Sequence, residues 1–224
     1  MIRLFFFMRT SAGRDDVNIC RVHFFLMFIG MLFSVFNTSV HAKKMPMVYQ
    51  QCVVCHGEKA EGNKNLKAPV LAGQSEAYLN RQLLNFANGL RGHHPKDTFG
   101  SQMVAISQQL DLNKEVPQLA AYLSALPIPV KQLDIEGNMK NGSRYYQARC
   151  GACHGGKAQG NPLMNAPRLS GQSIDYLKRQ MINFATEVRG THQSDKFGRQ
   201  MAMMSKVSSG QELNDIFYYI AVQK

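Results

Sequence analysis

The chain has 224 residues, 45% of them hydrophobic and 18% charged, a composition that excludes a disordered or fibrous protein. The formal net charge is +11, from 26 Lys and Arg against 15 Asp and Glu. No Arg-rich and aromatic nucleic-acid motif accompanies this charge, so we expect no nucleic acid among the partners. The basic surface is expected to dock acidic protein partners or an anionic membrane, or to be an evenly solvated face.

The first 42 residues have the pattern of an export signal. Four arginines precede an apolar run from Phe24 to Phe36, and Ser39 to Ala42 offers the small residues that a signal peptidase reads. We predict cleavage after Ala42 and a periplasmic location, with an uncleaved, membrane-associated anchor as the alternative. The run is short for a membrane span. The mature chain then has 22 basic and 13 acidic residues, a net charge of +9.

The two halves of the chain repeat each other at an offset of 98 residues. This offset places a Cys-x-x-Cys-His motif at 52–56 onto a second one at 150–154 and holds without a gap through residue 103. The identities include an Ala-Pro pair, a Gly-Gln-Ser turn, an Arg-Gly pair and a Phe-Gly pair. Such a match indicates the tandem duplication of a whole domain and not a solenoid of short repeats.

Apolar spacing predicts helices in both halves. One helix is predicted from Glu76 to about Asn88 and its repeat from Ile174 to Val188, with serines before them as N-caps. A final helix in each half is indicated by apolar residues at i, i+3, i+4 and i+7, namely Val116, Leu119, Ala120 and Leu123, then Leu213, Ile216, Phe217 and Ile220. No stretch alternates at period two, so we predict an all-α fold.

Two prolines mark the connection between the halves. Pro127 and Pro129 favour an extended chain, because X-Pro units disfavour helix. We expect domain 1 over residues 43–128, a linker over 129–136 and domain 2 over 137–224. Each half is small enough that a core of side chains alone is marginal, so a large covalent apolar group would complete it.

Both Cys-x-x-Cys-His motifs have the form that attaches c-type heme. Two thiols spaced in a helical turn reach the two vinyl groups on one porphyrin edge, and the adjacent histidine turns beneath the ring to ligate iron. A redox dithiol needs no following histidine, and a zinc site needs further ligands. We therefore predict two covalently bound heme c groups, attached through Cys52, Cys55, Cys150 and Cys153, with His56 and His154 as axial ligands.

The second axial position decides between an electron carrier and an enzyme. Methionine raises the reduction potential and closes the iron, histidine gives bis-imidazole ligation, and an empty position allows catalysis. Met103 and Met201 lie in register after the motifs, as do His94 and His192. We predict the two methionines as ligands and the two histidines as solvated loop residues. The alternatives to Met201 are Met203 and Met204.

Two further sets of residues are predicted to orient the cofactor. The carbonyl groups of Pro69 and Pro167 lie where each could accept a hydrogen bond from the free ring nitrogen of the axial histidine. Four arginines are candidates for contacts with heme propionates, with plain solvation as the alternative: Arg81, Arg91, Arg179 and Arg189.

These residues resemble the cytochrome c4 type of diheme class I cytochrome c. The resemblance covers nearly all of the mature chain: CxxCH, then APxLxGQSxxYLxRQLxxF, xRG, a methionine after FGxQ, and a closing helix with AAYL in the first half. It implies two tandem class I cytochrome c domains with facing hemes and His and Met ligation at both irons. It also implies an opening helix, whose pattern Gly142, Tyr146 and Cys150 follow in the second half only.

The resemblance implies a periplasmic carrier between a quinol-oxidising cytochrome bc complex and a terminal oxidase, with no catalytic residue and no small-molecule substrate. A diheme peroxidase is one alternative, but it needs an iron with an open or releasable ligand, and the near-perfect symmetry of the halves argues against divided labour. An electron-transfer subunit permanently bound to a dehydrogenase or oxidase would have the same motifs.

Overall fold

The computed structural model describes residues 44–130 and 133–223, and these residues form helices joined by loops. The predicted export signal lies outside the described residues, as does part of the predicted linker. Within the described ranges, β-type pairing is limited to one isolated bridge in each half, so the all-α prediction is confirmed. None of the described helices combines the length and the apolar content needed to cross a membrane.

The first half opens on its heme motif. A 3-10 turn at Met47–Tyr49 leads into α1 (Gln50–His56), which carries both cysteines and the histidine. Three further helices follow: α2 (Glu76–Ala87), α3 (Thr98–Ser107) and α4 (Glu115–Ser124). Helix α2 packs against both α3 and α4.

Within the described ranges, the second half repeats these elements and also has an opening helix. Helix α5 (Met139–Tyr146) continues through a π-helical turn at Gln147–Gly151 into the short α6 (Ala152–His154). After a 3-10 turn at Pro162–Met164 come α7 (Ile174–Ala185), α8 (Lys196–Met204) and α9 (Gly210–Ala221).

Helix α5 lies directly against α9. A Cβ atom on Gly142 would lie 2.1 Å from the backbone oxygen of Asp215, so only glycine permits this crossing. The Asp215 carboxylate accepts a hydrogen bond from the backbone N–H of Asn138, which joins the start of α5 to the same helix at 3.0 Å. The opening helix implied by the family resemblance is therefore present in the second half.

The predicted N-caps are confirmed in both halves. The Ser75 and Ser173 hydroxyl oxygens accept hydrogen bonds from the backbone N–H groups of Tyr78 and Tyr176, at 3.4 Å in each case. These bonds satisfy donors that the first turn of a helix leaves without partners.

Helix α7 is shorter than the apolar pattern predicted. It ends at Ala185 and not at Val188, because Glu187 takes a left-handed conformation with a φ of 64°. The final helices agree with the prediction, since their apolar faces are buried in the core of each half.

The connection between the halves packs against both of them. Between Ser124 and Met139 the described residues form no helix. Ile128 lies between the two Gly-Gln-Ser turns, where a Cβ atom on Gly73 or Gly171 would come within 2.3 or 2.5 Å of its side chain. Both glycines also have a positive φ, 66° and 74°. The repeated turns therefore meet at the boundary between the halves.

Candidate heme sites

Each heme motif ends in a buried histidine that is already oriented. His56 is 5% exposed and His154 is 8% exposed. Their Nδ1 atoms lie 3.0 and 2.9 Å from the carbonyl oxygens of Pro69 and Pro167, which confirms the predicted contacts. Burial lowers the pKa of both rings, although the hydrogen bonds to proline oppose this. A neutral ring that donates through Nδ1 keeps the Nε2 lone pair for iron.

A glycine and a tyrosine hold the turn that follows each histidine. Gly57 and Gly155 have φ values of 82° and 80°, a region that glycine enters without steric cost. The Tyr49 hydroxyl donates to the Gly57 carbonyl at 2.7 Å, and the Tyr146 hydroxyl donates to the Gly155 carbonyl at 2.8 Å. The two tyrosines therefore fix the chain immediately beyond the iron ligand.

Tyr146 was named from the sequence as part of the opening-helix pattern, but it was not paired with Tyr49 because the two tyrosines are out of register at the fixed offset. Tyr49 stands three residues before Cys52, whereas Tyr146 stands four residues before Cys150. The π-helical turn at Gln147–Gly151 accommodates the extra residue, as π-bulges in helices do. A search that allowed one insertion would have aligned the pair.

The four cysteines of the two motifs form no disulfide. Cys55 and Cys153 are exposed, while Cys52 and Cys150 are half-buried. Before heme is attached, burial raises the pKa of the Cys52 and Cys150 thiols to about 11. In the ranges that the structure describes, no cluster of three or more His, Cys, Asp or Glu side chains exists that could hold a metal ion.

The predicted methionine ligands lie on corresponding helices. Met103 is on α3 and Met201 is on α8, and both side chains are half-buried. Met203 is 66% exposed and Met204 is 37% exposed, so both neighbours point more toward solvent than Met201 does. Burial thus favours Met201 among the three, and its role as an iron ligand stays a prediction.

The two histidines that repeat with the methionines lie in exposed loops. The Nδ1 atom of His94 accepts a hydrogen bond from the backbone N–H of Lys96, and that of His192 accepts one from Ser194, both at 3.1 Å. These local bonds agree with the predicted loop role.

The repeated Arg-Gly and Phe-Gly pairs fix the start of both methionine helices. A Cβ atom on Gly92 would lie 2.6 Å from the carbonyl oxygen of Gly100, and one on Gly190 would lie 2.4 Å from that of Gly198. The Asp97 carboxylate caps α3 by accepting from the Gly100 N–H at 3.0 Å, and the second half repeats this cap. Two glycines per half therefore allow the loop before the helix to lie against its first turn.

Buried arginines cross the boundary between the halves. Arg91 donates to Gln82 in its own half and to Gln180 in the other half, and Arg189 donates to the same two glutamines. Both arginines are 7% exposed. Each charge is thus enclosed by residues of both halves.

All four arginines predicted to contact propionates have an unsatisfied atom. The buried Nε atom has no hydrogen-bond partner in any of them: Arg81, Arg91, Arg179 and Arg189. None of the four takes part in the ion pairs formed within residues 44–130 and 133–223. Because a buried charge without a carboxylate partner is costly, the buried Arg91 and Arg189, with the half-buried Arg81 and Arg179 beside them, fit carboxylates supplied from outside the chain. Heme propionates are such carboxylates, so the residues present fit the cofactor.

Two attachment motifs, each with a buried and oriented histidine, define a tandem pair of covalent c-type heme domains. The sequence profile of the family described as Cytochrome c matches residues 43–127 and 139–224. The chain therefore belongs to the cytochrome c family.

Known proteins extend the likeness to the two-domain arrangement. A cytochrome c4 from Azotobacter vinelandii is 28% identical over 162 residues, which cover 67% of this chain and 75% of the relative. A thiosulfate dehydrogenase electron acceptor from Thiomonas intermedia is 31% identical over 144 residues, covering 58% of this chain and 60% of the relative. The solved structure of an Acidithiobacillus ferrooxidans cytochrome c4 matches with a TM-score of 0.63 and 25% identity, covering 77% of this chain and 98% of that one.

The resemblance drawn from the sequence is thereby confirmed. The chain is a diheme electron carrier of the cytochrome c4 type, and it binds two hemes c covalently through its two cysteine pairs.

Proposed function

We propose that this protein is a periplasmic shuttle that takes electrons from a quinol-oxidising cytochrome bc complex and passes them to a terminal oxidase. The observation that best supports this proposal is that the two candidate heme sites are formed by equivalent residues. Each half has a buried histidine bonded to a proline carbonyl and a half-buried methionine on the equivalent helix. An enzyme that divides its chemistry between two hemes would need two different sites.

In this proposal the chain holds both axial positions of each iron. His56 and Met103 are the ligands in residues 43–128, and His154 and Met201 are the ligands in residues 137–224. Heme supplies one-electron chemistry when bound, and the protein supplies its position, its axial ligands and its electrostatics. With these four side chains as axial ligands, the chain would leave small molecules no position on either iron, and the cofactor would supply electron exchange alone.

The surface charge suits an acidic redox partner. The mature chain has a net charge of +9, while the arginines that fit the propionates are buried or half-buried at the boundary between the halves. The remaining basic residues are available to steer association over the distance that salt screening allows, about 10 Å at 0.1 M ionic strength.

A second function is favoured by two relatives, which are electron acceptors of thiosulfate dehydrogenase. The matching protein from Thiomonas intermedia is an electron acceptor of thiosulfate dehydrogenase. A role as the acceptor for a periplasmic dehydrogenase would use the same two sites. Purification of the protein from its native membrane and soluble fractions separates the two functions, because a dedicated acceptor copurifies with its dehydrogenase and a shuttle is recovered alone.

Stopped-flow mixing tests the carrier function directly. We expect the reduced protein to bind carbon monoxide very slowly and to show no steady turnover of peroxide with an electron donor, because protein ligands close both irons. We also expect electron exchange with an acidic partner to slow as salt rises. Rapid carbon monoxide binding at one heme, or sustained peroxide turnover, would establish a heme enzyme instead.

A further inference from the structure

A glutamine of the second half binds the chain beside the first heme ligand. The Gln172 side-chain oxygen accepts a hydrogen bond from the backbone N–H of Val70, and its amide nitrogen donates to the Val70 carbonyl, both at 2.9 Å. Val70 follows Pro69, whose carbonyl oxygen accepts from the Nδ1 atom of His56 at 3.0 Å. The Gln172 side chain is therefore one peptide group away from the proximal histidine of the other half.

The first half returns the same contact. The Gln74 side-chain oxygen accepts from the backbone N–H of Arg168, and its amide nitrogen donates to the Arg168 carbonyl, again at 2.9 Å. Arg168 follows Pro167, whose carbonyl oxygen accepts from Nδ1 of His154 at 2.9 Å. Each half thus reaches the histidine of the other half through a single side chain.

The orientation of both amides is set by a further bond. Gln172 accepts from the backbone N–H of Ser173, and Gln74 accepts from that of Ser75, at 2.9 Å each. These serines cap α7 and α2, so the glutamines belong to the rigid starts of two helices. Their oxygens are consequently held toward the partner half.

The peptide bond between Pro69 and Val70 links Gln172 of the second half to His56 of the first half. Its N–H donates to Gln172 and its carbonyl accepts from His56, so both ends of one amide are hydrogen-bonded. Hydrogen bonds in a chain polarise one another, and an amide whose N–H is bonded has a more negative oxygen. A stronger acceptor on Nδ1–H makes the imidazole a more basic ligand.

We propose that Gln172 and Gln74 are positioning residues that act across the boundary, each setting the ligand strength of the histidine in the opposite half. The proposal rests on the proposed function only in taking His56 and His154 as iron ligands. A more basic imidazole stabilises ferric over ferrous iron, so each glutamine lowers the potential of the heme in the other half. The two hemes are then linked through the protein as well as through space.

The test is the variant Gln172→Leu, which keeps the side-chain volume and removes the amide. A redox titration followed by NMR resolves the two hemes, and a Cys52→Ala, Cys55→Ala variant with one heme assigns their signals. We expect the potential of the first-half heme to rise while that of the second-half heme stays unchanged. In the reduced protein, the His56 Nδ1 proton should move upfield and exchange faster with solvent.

The matched variant Gln74→Leu should move only the second-half heme and the His154 proton. Gln172→Glu keeps an oxygen facing the Val70 N–H and adds negative charge, so the first-half potential should fall and not rise. If the substitutions acted only by loosening the boundary between the halves, the first-half potential would shift in the same direction in Gln172→Leu and in Gln172→Glu. Shifts of opposite sign therefore indicate that polarisation of the peptide group is the cause. A shift confined to the heme in the variant's own half, or equal shifts at both hemes, would overturn the proposal. Carbon monoxide binding tests the carrier function separately and leaves this outcome unaffected.

Discussion

At the scale of single residues, the burial of Met201 separates it from the neighbouring methionines. In Met201→Ala we expect the methionine-to-ferric-iron absorption of one heme to disappear and its potential to fall, because a thioether ligand favours ferrous iron. Optical spectra and a redox titration of the oxidised protein measure both effects. Met203→Ala is the matched control, since its exposed side chain should leave the spectrum unchanged. An unchanged Met201→Ala spectrum would transfer the ligand role to a neighbour.

Met103 is tested against the histidine alternative in the same way. Met103→Ala should remove the absorption of the other heme, whereas His94→Ala should leave it intact, because His94 is exposed and bonded to its own loop. Absence of this absorption from the first-half heme of the unsubstituted protein, with an unchanged spectrum in Met103→Ala and loss of the six-coordinate spectrum in His94→Ala, would establish bis-histidine ligation in the first half.

The site residues that could be predicted from sequence alone belong either to a known motif or to the internal repeat. Cys52, Cys55 and His56 form a motif with a fixed spacing, and Pro69 is in register with Pro167 of the repeat. The motif and the repeat were therefore enough to predict the roles of these residues. Tyr49 was not found, because its hydroxyl contact depends on how the chain folds back beyond the motif. Gln172 was visible as a repeated residue, but its contact with the other half depends on tertiary packing.

At the scale of helices, the crossing of α5 and α9 should be sensitive to a single methyl group. Gly142→Ala places a Cβ atom within 2.1 Å of the Asp215 carbonyl oxygen, so the helices must move apart. We expect the free energy of unfolding of the second half to fall by about 1–3 kcal/mol, the usual cost of overpacking. This loss of stability is measured by thermal unfolding, followed through the absorbance of the heme in the second half. The control is Gly156→Ala, where the nearest atom is 3.6 Å away, and an equal loss there would contradict this explanation.

The helices differ in how far their sequences revealed them. Helices α2, α4, α7 and α9 have clear apolar faces and serine caps or long runs, so periodicity predicted them. Helices α3 and α8, which contain a glycine in their first turn, were not predicted as helices. In the sequence, the start of α3 is marked by the capping pair Asp97 and Gly100, which is repeated at the start of α8. The pair could not be recognised as a cap from sequence alone, because it depends on how closely Gly92 approaches the helix.

At the scale of the whole molecule, two separate attachment sites predict two hemes per chain. Replacing Cys52 and Cys55 with Ala should leave one heme, bound in the second half, because no thioether can then form in the first. Mass spectrometry of the denatured protein counts the covalent groups, and acidified organic solvent should fail to extract the remaining one. Two retained hemes in this variant would refute the attachment assignment. Serine at the same positions provides a matched control for lost side-chain volume.

The position of Ile128 also limits how the duplicated chain can vary. A connection that only tethered two bodies would accept insertions or deletions along its whole length. Here Ile128 fills the space between Gly73 and Gly171, and its position is set by the number of residues that follow α4. A change of one residue between Ser124 and Ile128 would therefore withdraw the side chain from both turns at once. In homologues that share this duplication, insertions and deletions should for that reason occur in other loops and not between Ser124 and Ile128.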